Sequence, residues 1–583
     1  MTQSQENTGP EEKRKLWKFI TLMIVIFIGF AALIGKLFYI QIIQSEKYKD
    51  IARKQHEAKI SVLAERGNLY DRNGIILATT TQSVSVAVDP NLFKDDDPAI
   101  LKKRIALKDS ICSLLAKITG ENKNQYLDKI NNSKLSFVWL AKGVPLESLS
   151  KLRLIKDKAL IMITEPKRCL LHGNIGAQII GFTNYENVGI SGVEMLYDKY
   201  LKGTDGFIIM RRDAIGGLHQ TADLPYLSPK NGNSVQLTID IQLQKILEYE
   251  VNEGVKTTKS ASGTAIAMNP STGEILALAT APGIDPANPG ANFLQNIKLR
   301  AISDVYEPGS TFKAIIAAAA LDAGIYTPES VFNGFMGKLS FDKYTITDVH
   351  AIGYASLSDA LKHSSNIIFA QVAQGIPDYK LYKYIRDFGF GMNTGIDLPG
   401  EVNGKIKKEK ELNSISKKYL GFGYGMNVTA IQLINAYSVI ANGGKLMKPF
   451  VVSSVKSDSG TVLYSAKPEK LRQVISTETS KKLTGLLVNV VDSGTGKSVR
   501  IDGINIAGKT GTTKIAEGGT YTQNYYATFI GFFPAESPKI CLLVILEKPQ
   551  GQYYAASTAA PIFRNIAVRY LNIKPEIYSS QVK

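Results

Sequence analysis

Tyr306-Glu307-Pro308-Gly309-Ser310-Thr311-Phe312-Lys313, running directly into Ala314-Ile315-Ile316-Ala317-Ala318-Ala319-Ala320-Leu321, is the stretch on which the reading of this chain turns. The alanine-rich run has the length and uniform apolarity of a buried helix. Pro308 and Gly309 stand just ahead of it, as residues at a helix start do. Ser310 then falls in the first turn, where unpaired backbone N–H groups and the helix dipole favour developing negative charge. Lys313, at i+3, shares its face. A serine hydroxyl is a poor nucleophile until a base takes its proton, and an amine one turn away can do that. The same residues would also suit a capping serine and a solvated lysine, so the rest of the chain has to decide.

Two further short motifs lie C-terminal to it. Ser364-Ser365-Asn366 follows Leu357 to His363 and opens the apolar run Ile367-Ile368-Phe369-Ala370; taken alone it reads as a helix cap. Lys509-Thr510-Gly511 continues the strand-like Ile504-Asn505-Ile506-Ala507 through Gly508; taken alone it reads as a solvated strand end. S-x-x-K, S-x-N and K-T-G in this order are much more specific than any one of them.

The segment carrying these motifs begins near Asn231-Gly232-Asn233. Val235 to Ile239 reads as a strand and Ile241 to Val255 as a helix. Thr264 to Met268 and Glu274 to Ala279, around Asn269-Pro270-Ser271-Thr272-Gly273, predict a hairpin. Helices dominate 314–445, including Val428 to Ala441. Strands return at Ile504 to Ala507, Ala527 to Phe533 and Ile540 to Leu546, and Pro561 to Leu571 is a closing helix. Strands at both ends with helices between predict an α+β domain whose sheet is assembled from distant segments.

N-terminal to this lie three other regions. Residues 1–18 are polar and end in Lys13, Arg14, Lys15 and Lys18. Phe19 to Gly35 is uncharged and strongly apolar, and Leu37-Phe38-Tyr39-Ile40 continues it past Lys36. About 20 apolar residues span a bilayer as a helix, and Lys36 can snorkel to the headgroups. The basic N-terminal flank places the N-terminus in the cytoplasm and the remainder outside. No A-x-A-like site closes the apolar run, which reads as an uncleaved anchor. Residues 44–230 are mixed: a turn-rich Glu65 to Gly74, strands at Ile75 to Ala78 and Ser83 to Val88, Lys- and Leu-rich helical spacing over 99–160, and a loop entering a helix at Gly189 to Glu194. Arg66, Asp71, Arg72 and Glu194 read as structural ion pairs.

The 583 residues suit two to four domains. A formal net charge of +17 suits nucleic acid, anionic lipid or a polyanionic substrate, but no RNA-binding aromatic signature or zinc finger accompanies it, so no nucleic-acid partner is expected. Cys112, Cys169 and Cys541 are odd in number and far apart, which excludes a disulfide framework. With no H-E-x-x-H, C-x-x-C or EF-hand pattern, no metal or other cofactor is expected.

Taken together, Ser310-Thr311-Phe312-Lys313, Ser364-Ser365-Asn366 and Lys509-Thr510-Gly511 resemble, in order, the three motifs of the class B penicillin-binding proteins, bacterial cell-wall transpeptidases. The resemblance extends over nearly everything after residue 18. The anchor, Arg66-Gly67 with Asp71-Arg72 and Gly74, and Gly189 to Glu194 resemble the family's non-catalytic pedestal. Gly423 to Thr429 and Ala441-Asn442-Gly443-Gly444 resemble other family segments, although Ala430 stands where members often carry proline. The Tyr-Glu-Pro-Gly-Ser-Thr form and the chain length resemble the division-type (FtsI-like) members more than the elongation-type.

The resemblance implies a cytoplasmic tail (1–18), an anchor helix (19–43), an elongated pedestal of the dimerisation type (44–230), a transpeptidase domain with a central antiparallel sheet flanked by helices (231–575) and a tail (576–583). It implies Ser310 as nucleophile on peptidoglycan stem peptides ending in D-Ala-D-Ala, with Lys313 as base and Ser364 as proton relay. Asn366 would hydrogen-bond the substrate backbone, and Lys509, Thr510 and Thr512, with Gly511 between them, would receive the terminal carboxylate. The N–H groups of Ser310 and Thr512 would form an oxyanion hole. β-Lactams would acylate Ser310, and a membrane-embedded glycosyltransferase and other division proteins are the implied partners.

Other readings compete. Gly503 to Thr510 matches the P-loop pattern G-x-x-x-x-G-K-[ST], but a P-loop joins a strand to a helix, and Gly511 to Gly519 does not look helical. His350 and His363 could serve a Ser-His-Asp hydrolase, yet no G-x-S-x-G elbow occurs. An elongation-type transpeptidase, a D,D-carboxypeptidase and a non-enzymatic β-lactam sensor share the motifs and stay open at this point.

Overall fold

The computed structural model describes residues 10–212, 218–219 and 224–579. Its described residues up to Ala64, with those of Thr204–Lys230, form one compact unit; Glu65–Gly203 and the described residues from Asn231 onward form a second. In the first unit an apolar helix covers Pro10–Phe38 and continues through a π-turn to Ile43, with no residue buried. It contains the predicted Phe19 to Gly35 span and is long and apolar enough to cross a membrane. Beyond the short helix Ser45–His56, strand Glu57–Val62 pairs antiparallel with Gly206–Arg212.

In the second unit a seven-stranded sheet takes strands from both sides of position 231. Its order is Val462–Ser465, Val452–Lys456, Ser234–Leu237, Leu69–Tyr70, Ile76–Val88 and Val138–Pro145, with Leu160–Leu170 also on Ile76–Val88. Leu69 pairs in parallel with Val235. Beside this sheet Arg66 is buried, with Nε 2.6 Å from Glu194 Oε2 and Nη1 2.6 Å from Asp198 Oδ1; Arg168 Nε reaches Glu194 Oε1 at 2.6 Å. Arg66 and Glu194 are thus paired as expected. Asp71 instead caps a turn, its Oδ1 accepting from Asn73 N at 2.7 Å and Ile75 N at 2.8 Å.

The other sheet positions the site. It uses β1 (Ser262–Met268), β2 (Ile275–Ala281), β3 (Ala507–Glu517), β4 (Thr520–Phe533) and β5 (Ile540–Glu547), in the order β2-β1-β5-β4-β3, with every pairing antiparallel. The helices around it are α1 (Ile241–Thr258), α2 (Lys313–Asp322), α3 (Leu357–His363), α4 (Asn366–Gly375), α5 (Ala430–Ala441), α6 (Thr477–Ser493) and α7 (Ala559–Ile573). Period-2 alternation divides each strand between two cores. Ile266, Ile530 and Leu543 pack with α2 and α5. Ala265, Phe529 and Val544 pack with α1 and α7. A sheet covered on both faces reads as a near-continuous apolar run, which is why Ile540 to Leu546 shows no polar face.

Several details differ from the sequence reading: Val138–Pro145, within the 99–160 stretch read as helical, is a strand, and the strand expected from Ile504 begins only at Ala507. The region 314–445 also carries two small antiparallel ribbons, Val331–Asn333 with Tyr354–Ser356 and Lys338–Phe341 with Tyr344–Thr347. Their strands are too short to show a period. The helix expected from Val428 starts at Ala430, because Thr429 and Gln432 form a reciprocal capping box.

Candidate active site

Ser310 lies in the 3₁₀ turn Gly309–Phe312, which leads directly into α2 at Lys313. Tyr437 of α5 fixes this turn from behind, its hydroxyl donating to Thr311 O at 2.7 Å. Ser364 follows α3 in a left-handed conformation, φ 60° and ψ 41°. Ser365 caps α4, accepting from Ile368 N at 3.1 Å, so the capping role of this motif and its place in the site coexist. Lys509, Thr510, Gly511 and Thr512 run along β3. Extended strand from Ala507 to Glu517, which carries Lys509 on as strand where a P-loop would open a helix, is not the geometry of a phosphate-binding P-loop.

The three segments meet at the hydroxyl of Ser364. Lys313 Nζ lies 3.2 Å from Ser364 Oγ, 2.6 Å from Ser364 O and 2.7 Å from Asn366 Oδ1. Lys509 Nζ lies 2.9 Å from the same Oγ and 3.2 Å from Thr510 O. Both lysines are fully buried. Burial, then the neighbouring Lys509, hold the Lys313 pKa well below the ordinary lysine value, with Asp348 opposing them. Burial brings that of Lys509 down to about 7. Ser364 O and Asn366 Oδ1 can only accept, so they take two N–H groups of Lys313, and the third position faces the Ser364 hydroxyl, which can accept from the amine or donate to it.

Ser310 is half-buried, and among the described residues its hydroxyl makes no hydrogen bond to either amine. Its turn nevertheless packs tightly on β3. A Cβ at Gly511 would stand 2.8 Å from Thr311 Cγ2, and one at Gly309, where φ is +54°, would stand 2.0 Å from Thr513 Oγ1. Thr510 Oγ1 donates to Thr495 Oγ1 at 2.9 Å, and Thr512 Oγ1 accepts from Ala555 N at 3.1 Å. Among the described residues that leaves the Thr512 O–H free to donate to a ligand.

Residues 263–567 match the penicillin binding protein transpeptidase domain, and residues 61–237 match the penicillin-binding protein dimerisation domain. The chain belongs to the penicillin-binding protein transpeptidase family. The peptidoglycan D,D-transpeptidase FtsI of Buchnera aphidicola subsp. Schizaphis graminum is 32% identical over 567 residues, 96% of each chain. Stage V sporulation protein D of Bacillus subtilis is 30% identical over 96% of this chain and 86% of that one. The crystal structure of penicillin binding protein 3 from Mycobacterium tuberculosis complexed with aztreonam, 22% identical, covers 88% of this chain and 97% of that chain with a TM-score of 0.68, which shows a shared fold.

Other residues of this penicillin-binding protein's site carry no signal in the motif spacing. Asp348, in the loop after Tyr344–Thr347, accepts from Ser365 Oγ and Asn366 N at 2.5 Å each and from Ile367 N at 3.2 Å. It braces the S-x-N turn at the start of α4. Glu307 accepts from Gly425 N at 2.7 Å and from the Tyr521 hydroxyl at 3.0 Å. Gly309 N donates to Gly423 O at 3.1 Å, and Tyr306 and Val428 exchange backbone bonds at 2.9 and 3.0 Å. The glycines of Gly423 to Thr429 were the available signal: a Cβ at Gly423 would stand 2.2 Å from Gly309 O.

Proposed function

We propose that this chain is a peptidoglycan D,D-transpeptidase that cross-links stem peptides through an acyl-enzyme on Ser310 and works in septal cell-wall synthesis. The convergence of two buried amines, Lys313 and Lys509, on the Ser364 hydroxyl beside the Ser310 turn carries this reading. The name of the Buchnera relative supports the reaction class, and the division-type form of Tyr306 to Thr311 supports the septal role.

Ser310 Oγ attacks the carbonyl carbon of the penultimate D-alanine while its proton passes to the lone pair of Lys313. An ordinary lysine has a pKa of about 10.4, and burial with the neighbouring Lys509 lowers that of Lys313 well below it, toward the neutral form that a general base needs. The N–H groups of Ser310 and Thr512 hold the developing oxyanion, at roughly 3 kcal/mol per donor. As the C–N bond breaks, Ser364 hands a proton to the departing D-alanine and is reprotonated along its contacts with the two lysines. The acyl chain stays on Ser310 as an ester. The amine of a second stem peptide then attacks it, the ester C–O bond breaks, and Ser310 recovers its proton. Asn366 holds the substrate backbone, and Lys509, Thr510 and Thr512 hold the terminal carboxylate. A β-lactam follows the first half of this path and leaves a slowly hydrolysed ester on Ser310.

The helix Pro10–Ile43 anchors the chain, and the basic flank Lys13 to Lys18 supports a cytoplasmic N-terminus with the catalytic region outside. A membrane-embedded glycosyltransferase and other division proteins are the proposed partners. The test is labelling of the full-length protein with a fluorescent penicillin, followed by mass spectrometry of the adduct. Label on Ser310, lost in Ser310→Ala with the fold intact, is the expected result. Label that persists in Ser310→Ala removes this serine from the nucleophile role.

A further inference from the structure

A row of aromatic rings runs from Glu307, just ahead of the Ser310 turn. Tyr521, bonded to Glu307, lies edge-on to Tyr424 with ring centroids 5.6 Å apart. Tyr424 meets Phe422 at 5.5 Å, Phe422 meets Tyr419 at 5.5 Å, and Tyr419 meets Tyr344 at 6.4 Å. Phe422 is buried and roots the row in a small apolar cluster, separate from the main cores, with Ile346, Ile367 and Ala370. Tyr521 is 52% exposed, and Tyr344, Tyr419 and Tyr424 are partly exposed.

The row is tied to all three motif segments. The Tyr424 hydroxyl accepts from Lys514 N on β3 at 3.4 Å. Thr347, on the same strand as Tyr344, accepts from Asn366 Nδ2 at 2.9 Å. Glu307 stands three residues before Ser310. The acylation chemistry uses none of these rings. Tyrosines combine a flat apolar face with a polar rim, the surface that receives amphipathic, hydroxyl-rich rings. Lys343 lies 5.7 Å from the Tyr344 ring centroid, so positive charge flanks the far end of the row.

We propose that Tyr344, Tyr419, Tyr424 and Tyr521 form a track that holds the sugar rings of the acceptor strand as its peptide amine approaches the acyl-enzyme on Ser310. The track deepens the transpeptidase reading and rests on it for the identity of the strand. Its continuity with the Ser310 turn through Glu307 and Tyr521 argues for the substrate, rather than a protein partner, as the occupant.

The experiment compares Tyr344→Ala, Tyr419→Ala and Tyr344→Phe with the wild-type full-length protein. Cross-linking is measured with a disaccharide-bearing stem peptide as acceptor and with the same peptide lacking sugar, and penicillin acylation serves as a reference rate. The alanine variants should lose about tenfold in kcat/KM for the sugar-bearing acceptor only, with acylation unchanged and Tyr344→Phe close to wild type. An equal loss with both acceptors, or no loss with either, overturns the track. Binding of the disaccharide-peptide to Ser310→Ala protein, with and without Tyr344→Ala, probes the track independently of catalysis. A wild-type protein that penicillin does not acylate counts against the transpeptidase reading, whereas the binding measurement still tests the track: equal affinity with and without the tyrosine, or no binding at all, rejects it.

Discussion

Lys509 and Ser364, 145 residues apart in the chain, are joined by a 2.9 Å hydrogen bond from Nζ to Oγ. Lys313 reaches the same oxygen at 3.2 Å. The Ser364 hydroxyl therefore links two buried amines.

Removing that link should stop proton delivery while leaving the fold alone. Ser364→Ala is expected to slow acylation by a β-lactam about 10²-fold or more. Alanine in place of serine adds little strain to a left-handed position that serine already occupies. Stopped-flow acylation rates beside thermal melts check this, and a full-rate variant would show that Ser364 relays nothing.

The two glycines at the interface of β3 with the nucleophile turn should rank by the space they lack. Gly309→Ala must place Cβ 2.0 Å from Thr513 Oγ1 at a φ of +54°, whereas Gly511→Ala meets Thr311 Cγ2 at 2.8 Å in a strand. The first combines a clash with backbone strain of about 1–2 kcal/mol. It should lower the melting temperature more than the second, while both depress acylation by moving β3 off the turn. The reverse ranking in calorimetry would contradict the contact geometry.

Asp348 is the acidic group that holds the Lys313 pKa up against burial and Lys509. Asp348→Asn keeps an oxygen that can accept from Asn366 N and Ile367 N but removes the charge. The Lys313 pKa should fall further, so the rising limb of the acylation pH–rate profile should move to lower pH. An unmoved limb with a uniformly lower rate would assign Asp348 a purely structural part.

Lys509 has a folded pKa of about 7 and an unfolded value of about 10.4. Between these values the unfolded chain binds the extra proton, so stability rises with pH across that window. The cost of burying the ammonium is present in full below about pH 7 and is gone above about 10.4. Lys509→Met should therefore flatten the stability gain between pH 7 and 9.5 by about 3 kcal/mol. Chemical unfolding at the two pH values measures this, and parallel wild-type and variant slopes would show that Lys509 is not held neutral.

Much of this arrangement is legible from local chemistry. The β1–β2 hairpin follows from two apolar strands around a Pro/Gly turn, and the anchor helix from uninterrupted apolarity. Ser310, Lys313, Ser364, Asn366 and Lys509 stand out because three short patterns occur in a fixed order. The strand from Ala507 is longer than its apolar part suggests, because Lys509 to Lys514 find their partners on β4 rather than in their own sequence. The pairing of Leu69 with Val235 is equally silent, since sheet pairing is a contact between distant segments.

By itself, then, the amino-acid order determined which residues could do chemistry and which segments were helix, strand or anchor, because nucleophilicity, apolarity and turn preference are properties of near neighbours. Tertiary packing alone decided that Lys313 and Lys509 share one hydroxyl, that Asp348 braces the turn and that Tyr344, Tyr419, Phe422, Tyr424 and Tyr521 form one row ending at Glu307. Those outcomes depend on burial and on distances between segments far apart in the chain, and desolvation acts on an amine only once the fold has closed around it.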